Sequence, residues 1–212
     1  MTTNQAIQSY TGQLLTHQLL MSILKDYKRP NDKIHALLDE GVLTSVKRGV
    51  YIVGPALQSK KPESFLLANH ILGPSYVSLD TALSYYGLIP ERVFEISSMT
   101  TKAARKFTTP AGMFAYYRLS LPYYAFGIQR VKLSDDQYAL VASPEKALCD
   151  KIVTTPGVKL RSRINVLNYL LEDLRMEEDS VKELNTNSIQ DWLPDAPKKD
   201  SLLMMIKTIN SL

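Results

Sequence analysis

The chain has 212 residues, of which 45% are hydrophobic and 22% are charged, a composition typical of a globular protein with an apolar core. Its single cysteine, Cys149, excludes an internal disulfide, and its three histidines are too far apart in sequence to suggest a metal site. No apolar run approaches the roughly 18–20 residues that cross a bilayer, and the polar first ten residues do not resemble a signal peptide. We therefore expect a cytoplasmic protein without a cofactor, a metal or a membrane partner.

The positive charge is concentrated at the start of the chain. Residues 1–61 contain eight basic and four acidic residues, which equals the net charge of +4 of the whole chain. The remainder is neutral overall, with residues 62–163 at +4 and residues 164–212 at −4. This concentration of positive charge indicates a polyanionic partner for the first part of the chain. The alternative is that the charged side chains only contact solvent, since modest charge imbalances of this kind are common on protein surfaces.

The first 57 residues predict three helices followed by a hairpin. Thr16 is a good N-cap for the second helix, and Pro30 suits the first turn of the third, which Gly41 ends. Two β-branched runs, residues 42–46 and 50–53, flank the turn Lys47-Arg48-Gly49 and predict a hairpin with a basic tip. This order is typical of a winged helix-turn-helix, so we predict such a domain over residues 1–57.

The predicted third helix carries the groups that DNA recognition requires. Arg29, Asn31 and Lys33 cluster at its N-terminal end, where free N–H groups and the helix dipole also favour phosphate. This end can enter a major groove, while Lys47 and Arg48 of the hairpin reach the flanking backbone or the minor groove. The alternative is a small helical domain whose lysines only solvate its surface.

Residues 62–212 predict a second domain, which a linker at residues 58–62 separates from the first. We expect helices over residues 63–72 and 76–86 and then an antiparallel sheet, with turns at residues 110–112 and 134–136. Ser143 and Pro144 begin the next helix, and residues 158–212 are helical. The predicted fold class is thus α+β: a winged helix-turn-helix, a sheet-containing region (62–157) and a helical C-terminal part (158–212).

No convincing catalytic set is present. The sequence lacks a phosphate-binding glycine-rich loop, a GxSxG motif and an HExxH motif. His70 lies in an apolar segment, which favours a structural or interface role. Nuclease chemistry needs acids and a lysine that converge on a metal, for which the candidates are Asp80, Glu95, Glu145 and Lys146. Glu145 and Lys146, however, are adjacent on a predicted helix and diverge by about 100° around its axis. We therefore predict that the protein is not an enzyme.

Eight tyrosines fall within residues 76–138, interleaved with arginines and a lysine. Aromatic and basic side chains on a sheet can contact nucleic acid, but tyrosine is also a favoured residue in packed strands. Packing is the simpler interpretation, and both remain open at this point.

Four segments resemble the AbiEi family, the antitoxins of bacterial AbiE abortive-infection toxin–antitoxin systems of type IV. In chain order they are IHALLDEGVLTSVKRGVYIV, YVSLDTALSYYGLIPE, ARKFTTPAGMFAYYRLS and VASPEKALCDKI. The first is shared by many winged-helix proteins, whereas the second and fourth are more specific. Beyond Arg163 the resemblance is only general.

The resemblance implies an antitoxin and transcriptional autorepressor. Its N-terminal domain would bind double-stranded DNA at inverted repeats in its own promoter, and its C-terminal domain would counteract a co-encoded nucleotidyltransferase-like toxin, directly or indirectly. By position, the implied DNA contacts are Lys28, Arg29, Asn31, Lys33, Lys47 and Arg48. Two alternatives remain: a ligand-sensing winged-helix transcription factor without a toxin, and a DNA-binding nuclease.

Overall fold

The computed structural model describes residues 2–134 and 136–212 and has a mixed α+β fold. The first 57 residues, here called the N-terminal unit, form three helices and three strands. In chain order they are α1 (Thr3–Gln8), β1 (Leu14–Thr16), α2 (His17–Ile23), α3 (Pro30–Asp39), β2 (Leu43–Lys47) and β3 (Val50–Val53). The predicted helices and hairpin are confirmed, whereas β1 was not predicted because three residues are too few to show an alternating pattern.

Local sequence explains the helix boundaries of the N-terminal unit. The hydroxyl of Thr16 caps α2 by accepting a hydrogen bond from the N–H of Leu19. Pro30 occupies the first turn of α3, where its missing N–H removes no intrahelical bond. Gly41 follows α3 with φ of +69°, the left-handed conformation that glycine adopts without steric cost.

The three strands form an antiparallel sheet in the order β1-β3-β2. Apolar side chains from this sheet and the three helices form a small core of their own: Ile7, Leu15, Leu20, Leu24, Ile34, Leu37, Val42, Leu43 and Val53. The buried positions of α3 are Ile34 and Leu37, so the opposite face and the first turn of this helix face solvent.

Residues 62–212, here called the C-terminal unit, begin with a sheet-containing region. Its elements are α4 (Ser64–Ile71), β4 (Ser75–Val77), α5 (Leu79–Tyr85), β5 (Glu95–Thr100), β6 (Arg105–Thr109), β7 (Gly112–Arg118), β8 (Ile128–Lys132), β9 (Tyr138–Ala142) and α6 (Pro144–Thr154). Ser143 caps α6 by accepting from the N–H of Lys146, as predicted. Asp135, in the predicted turn between β8 and β9, lies outside the described residues.

The six strands form one mixed sheet in the order β6-β7-β5-β4-β9-β8. The predicted antiparallel sheet is confirmed in part: three strand pairs are antiparallel, but β5 pairs with β7 and β4 pairs with β9 in parallel. An alternation of polar and apolar residues predicts a strand but not its direction relative to neighbouring strands. Two strands run in parallel when a helix or loop returns the chain to the same end of the sheet. The direction therefore depends on tertiary packing.

The predicted helix over residues 76–86 was also wrong at its start. Tyr76 and Val77 belong to the central strand β4, and α5 begins only after Ser78. Both side chains are fully buried, because β4 is covered on both faces. A short strand buried on both faces shows no alternation, and its apolar run is easily read as part of the adjacent helix.

The chain ends in a helical part, as predicted. It consists of α7 (Arg163–Leu167), a π-helical stretch (Asn168–Asp173), α8 (Glu178–Lys182), α9 (Thr186–Trp192) and α10 (Lys199–Ile209). Leu202, Met205 and Ile206 of α10 are buried in the same core as the large sheet. The sheet and the helical part thus share one core and form one unit.

The two units pack directly against each other. Val46 and Ile52 of the small hairpin belong to the core of the C-terminal unit, which also contains Leu67 and Ile71 of α4. In addition, the N–H of Gly12 donates to the carbonyl of Lys60, in the linker between the units, at 3.0 Å. The β2–β3 hairpin therefore lies against the C-terminal unit and does not project freely from the N-terminal unit.

Candidate nucleic-acid interface

Two exposed basic residues directly precede the first turn of α3, which itself carries the exposed acid Asp32. Lys28, Arg29 and Asn31 are all exposed, while Ile34 and Leu37 anchor the helix in the core. Arg29 is the N-cap residue, and no side chain among the described residues caps the helix there. The first N–H groups of α3 therefore remain directed at solvent, beside two cationic side chains.

Two of the basic residues at α3 form ion pairs with acidic neighbours. Arg29 Nη1 lies 3.2 Å from Asp32 Oδ2, and the two side chains are 80% and 65% exposed. Lys33 Nζ lies 3.6 Å from Glu40 Oε1, and Lys33 is only 27% exposed. Exposed pairs of this kind contribute about 0–1 kcal/mol, so a phosphate can displace Asp32 from Arg29 at little cost.

The structure separates the two hairpin residues that the sequence placed together. Arg48 is exposed in the turn between β2 and β3, next to Gly49, whose φ of +79° the turn requires. The carbonyl of Gly49 accepts a hydrogen bond from the N–H of His17 at 2.9 Å, so the turn lies beside the start of α2.

Lys47 lies at the junction of the two units. Its Nζ donates to the carbonyl oxygen of Ile71, at the end of α4, over 2.6 Å, and the contact is partly buried. The neighbouring Val46 is buried in the core of the C-terminal unit. This lysine therefore connects the hairpin to α4 in the structure, and its predicted DNA contact stays a prediction.

We expect Lys47→Met to destabilise the protein by about 1 kcal/mol, because methionine keeps the apolar stem but leaves the Ile71 carbonyl without its donor. Urea unfolding measures this change. Lys28→Met, at an exposed position, is the matched control and should leave the free energy of unfolding unchanged. Equal stability of both variants would show that the Lys47–Ile71 contact contributes nothing.

The acidic residues considered for nuclease chemistry have other partners. Asp80 pairs with Lys151 at 2.6 Å, and Glu95 pairs with Lys106 at 3.1 Å. Glu145 accepts hydrogen bonds from the Ser143 hydroxyl and from the N–H of Asn185. Among the described residues, no group of three or more histidine, cysteine or carboxylate side chains is placed to hold a metal ion.

A buried polar cluster joins α6 to strand β4. Lys146 Nζ lies 2.8 Å from Asp150 Oδ1, and both side chains are fully buried. Asp150 Oδ2 accepts hydrogen bonds from the Tyr76 hydroxyl at 2.9 Å and from the Ser78 hydroxyl at 2.8 Å. Lys146 also donates to the carbonyl of Tyr123 at 3.0 Å, so most of its hydrogen-bonding capacity is used inside the protein.

The electrostatics of this cluster fit a structural role. Burial raises the pKa of Asp150 and lowers the pKa of Lys146, while each charge opposes the shift of the other. The adjacent Cys149 is buried as well, and burial raises the pKa of its thiol. Since the cluster is closed to solvent, it positions α6 against the sheet and has no access to a substrate.

Sequence reasoning missed this cluster, although its spacing is visible. Lys146 and Asp150 are four residues apart on one helix, which places both on the same face. The core face of α6, with Ala147, Leu148 and Ile152 also buried, is broad enough to include them. Burial of both charges depends on the hydroxyl groups of Tyr76 in β4 and of Ser78 directly after it, and the sequence of α6 alone does not contain this information.

The tyrosines of the C-terminal unit serve mainly in packing. Four of the eight are buried: Tyr76, Tyr116, Tyr123 and Tyr124. Tyr85 and Tyr138 are exposed by 44% and 37%. The Arg130 guanidinium lies 3.8 Å from the ring centre of Tyr138, so these two side chains form a stacked basic and aromatic pair.

No protein-family model matches the chain, and no curated protein matches it in sequence. Among solved structures, the chain is similar to the crystal structure of the RV2827C protein from Mycobacterium tuberculosis, with a TM-score of 0.60. The similarity covers 92% of this chain and 72% of that chain, at 16% sequence identity. At this identity the likeness concerns the fold alone. In the described part of the chain, no helix combines the length and apolar character that a bilayer crossing needs.

Proposed function

We propose that the N-terminal unit is a winged helix-turn-helix that binds double-stranded DNA. The observation that carries the proposal is the uncapped N-terminus of α3, with the exposed basic residues Lys28 and Arg29 directly before it. The element order α1-β1-α2-α3-β2-β3 and the sheet order β1-β3-β2 support it, because a winged helix places its third helix and a two-stranded hairpin in this sequence.

In this proposal α3 enters the major groove by its N-terminal end. Lys28 and Arg29 contact phosphates together with the free N–H groups of the first turn, where the helix dipole favours an anion. Asn31, which has no positive charge, reads base edges; its amide can bond to N6 and N7 of adenine. Lys33 is the least exposed of the four residues Lys28, Arg29, Asn31 and Lys33. It contributes to the positive electrostatic potential around the helix.

The hairpin contributes Arg48 to the proposed interface. Its side chain is exposed at the turn, from which a guanidinium can reach a flanking phosphate. Lys47 contacts DNA in this proposal only after its ammonium leaves the Ile71 carbonyl, to which it donates in the structure. The packing of the hairpin on the C-terminal unit fixes the position of Arg48, and we expect this pre-organisation to lower the entropy cost of binding.

We further propose that the protein is an antitoxin and autorepressor rather than an enzyme. It would bind inverted repeats in the promoter of its own operon and counteract a co-encoded nucleotidyltransferase-like toxin. The support is the resemblance of four segments to AbiEi antitoxins. Two of these segments supply the buried cluster, with Tyr76 and Ser78 from one and Lys146 and Asp150 from the other, so the residues that carry the resemblance also join the C-terminal unit.

Salt dependence tests the DNA part of the proposal. We expect Arg48→Ala to weaken binding to all DNA sequences alike and to lower the slope of log K against log salt by about 1, since one phosphate contact is lost. Fluorescence anisotropy at several salt concentrations measures both. Arg163→Ala removes an exposed arginine from the C-terminal unit and is the control. An unchanged slope in Arg48→Ala would contradict the contact.

Co-expression tests the antitoxin part. A nucleotidyltransferase-like toxin encoded next to this chain should arrest growth when expressed alone, and the full-length protein should restore growth. Asn31→Ala should restore growth equally well when expressed from an unrelated promoter, because DNA reading and neutralisation reside in different units. Failure of the wild-type protein to restore growth would contradict the antitoxin assignment without affecting DNA binding.

One observation favours a second candidate function, a winged-helix transcription factor that senses a ligand and has no toxin. A cavity of about 620 Å³ lies between the two units, in the size range of small-molecule sites. The nuclease alternative has less support, since Lys146 is fully buried. A regulator of this kind requires a ligand that occupies the cavity.

A further inference from the structure

The turn between α2 and α3 carries an exposed tyrosine. Tyr27 is 41% exposed and directly precedes Lys28 and Arg29, the two basic residues that lead into α3. Because Tyr27 and Arg29 are only two positions apart, their Cα atoms are separated by at most about 7 Å. An anion that these basic residues bind is therefore within reach of a tyrosine side chain at this turn.

The side chain of Tyr27 connects this turn to the first helix of the chain. Its hydroxyl oxygen lies 2.9 Å from Oγ1 of Thr3, the first residue of α1, although 24 residues separate the two positions. The N–H of Tyr27 donates to the carbonyl of Leu24, which follows α2 and is fully buried. The turn is thus fixed to α2 by its backbone and to α1 by the tyrosine hydroxyl.

The hydroxyl groups of Thr3 and Tyr27 share one hydrogen bond but carry two hydrogens. Each hydroxyl can donate once and accept as well, and either oxygen can be the donor in this bond. When Thr3 donates to Tyr27, the phenolic hydrogen is left over, since the described residues offer neither hydroxyl a second hydrogen-bond partner. The exposed phenolic O–H can then donate to an acceptor outside the chain.

The charge around Tyr27 favours an anionic acceptor. Residues 25–33 contain four basic and two acidic residues. One of the acids, Asp32, is paired with Arg29, and the other, Asp26, is exposed beside Tyr27. Hydrogen bonds to an ionised oxygen are stronger than those to a neutral one, and tyrosine hydroxyls are among the groups that bond DNA phosphates.

We propose that the Tyr27 hydroxyl donates a hydrogen bond to a DNA phosphate beside those bound by Lys28 and Arg29, and that Thr3 is the positioning residue that orients it. The inference rests on the proposed DNA binding and extends the interface from α3 to the first turn of α1. The added contact is uncharged, so it contributes to affinity but not to counter-ion release.

Fluorescence anisotropy with the full-length protein and a short labelled DNA duplex of mixed sequence, at several salt concentrations, tests the proposal. Tyr27→Phe should bind at least about fivefold more weakly at each salt concentration, because a hydrogen bond to a charged group is lost. The slope of log K against log salt should stay unchanged, whereas Lys28→Met should lower it by about 1. Tyr10→Phe changes a half-buried tyrosine on the core of the N-terminal unit and should bind like the wild type.

Thr3→Val distinguishes a phosphate contact from a purely structural role. It removes the same intramolecular hydrogen bond as Tyr27→Phe but keeps the phenolic hydroxyl, so it should weaken binding clearly less. Circular dichroism verifies that each variant is folded. Equal losses in the two variants, or a lower salt slope in Tyr27→Phe, would overturn the proposal.

The same titrations separate this inference from the proposed DNA binding. If Tyr27→Phe binds like the wild type while Lys28→Met lowers the slope, DNA binding stands and the tyrosine contact is refuted. A folded wild-type protein that binds no duplex even at low salt would refute both.

Discussion

Asp150→Ala is expected to lower the free energy of unfolding by about 3–5 kcal/mol, because it leaves the fully buried Lys146 ammonium without its counter-ion. The same change removes the acceptor of the Tyr76 and Ser78 hydroxyls, and unpaired buried donors add to the loss. Urea unfolding, followed by circular dichroism, measures the effect. The variant should weaken the attachment of α6 to Tyr76 of β4 and to Ser78.

A control variant at a more exposed ion pair and a double variant make this test more specific. Asp80→Ala also removes a carboxylate bonded to a lysine, but Lys151 and Asp80 are 23% and 38% exposed, so the loss should be at most about 1 kcal/mol. Lys146→Met combined with Asp150→Leu should recover much of the stability, since apolar residues often replace a buried ion pair without loss. If Asp150→Ala costs no more than Asp80→Ala, the cluster does not stabilise the fold.

Asn31→Ala is expected to weaken binding to the cognate DNA site by about 1–3 kcal/mol and to relax base preference at one position. Non-specific DNA should bind as before, because an uncharged side chain contributes little to phosphate attraction. Asn31 is exposed and lies outside the core, so the fold should be unaffected. Competition titrations with operator variants, changed one base pair at a time, measure the loss of preference.

Asn187→Ala is the control for Asn31→Ala. Asn187 is also exposed on a helix, but it lies in the helical part of the C-terminal unit. It should alter neither affinity nor preference. A variant Asn31→Ala that loses the same affinity for operator and random DNA would contradict base reading by this residue.

The sequence predicted those features that local chemistry determines. Pro30 and Gly41 mark the ends of α3, Ser143 caps α6, and Lys28, Arg29 and Asn31 lie exposed at the start of α3. Each of these features depends on backbone conformation or on the solvation of a charged side chain, and both are determined by residues that are close in sequence. The exposed basic residues at the start of α3 could therefore be predicted from the sequence alone.

Other features depend on contacts between distant parts of the chain. Lys47 looks like a free charge at a hairpin tip, yet the Ile71 carbonyl, 24 residues later, accepts its hydrogen bond. Tyr76 was assigned to a helix because burial on both faces of β4 removes the strand pattern. The pairing of Asp150 with Tyr76 spans 74 residues, and no local rule anticipates it. In each case tertiary packing determined the outcome.

The most direct test of the central claim is the affinity of the full-length protein for the promoter DNA of its own operon. We predict binding about 10³-fold or more tighter than binding to a scrambled duplex of equal length and composition, at near-physiological salt. Arg29→Ala should weaken both complexes, because it removes a cation from the first turn of α3. Equal affinity for promoter and scrambled DNA, or no change in either complex with Arg29→Ala, would contradict the assignment of α3 as the recognition helix.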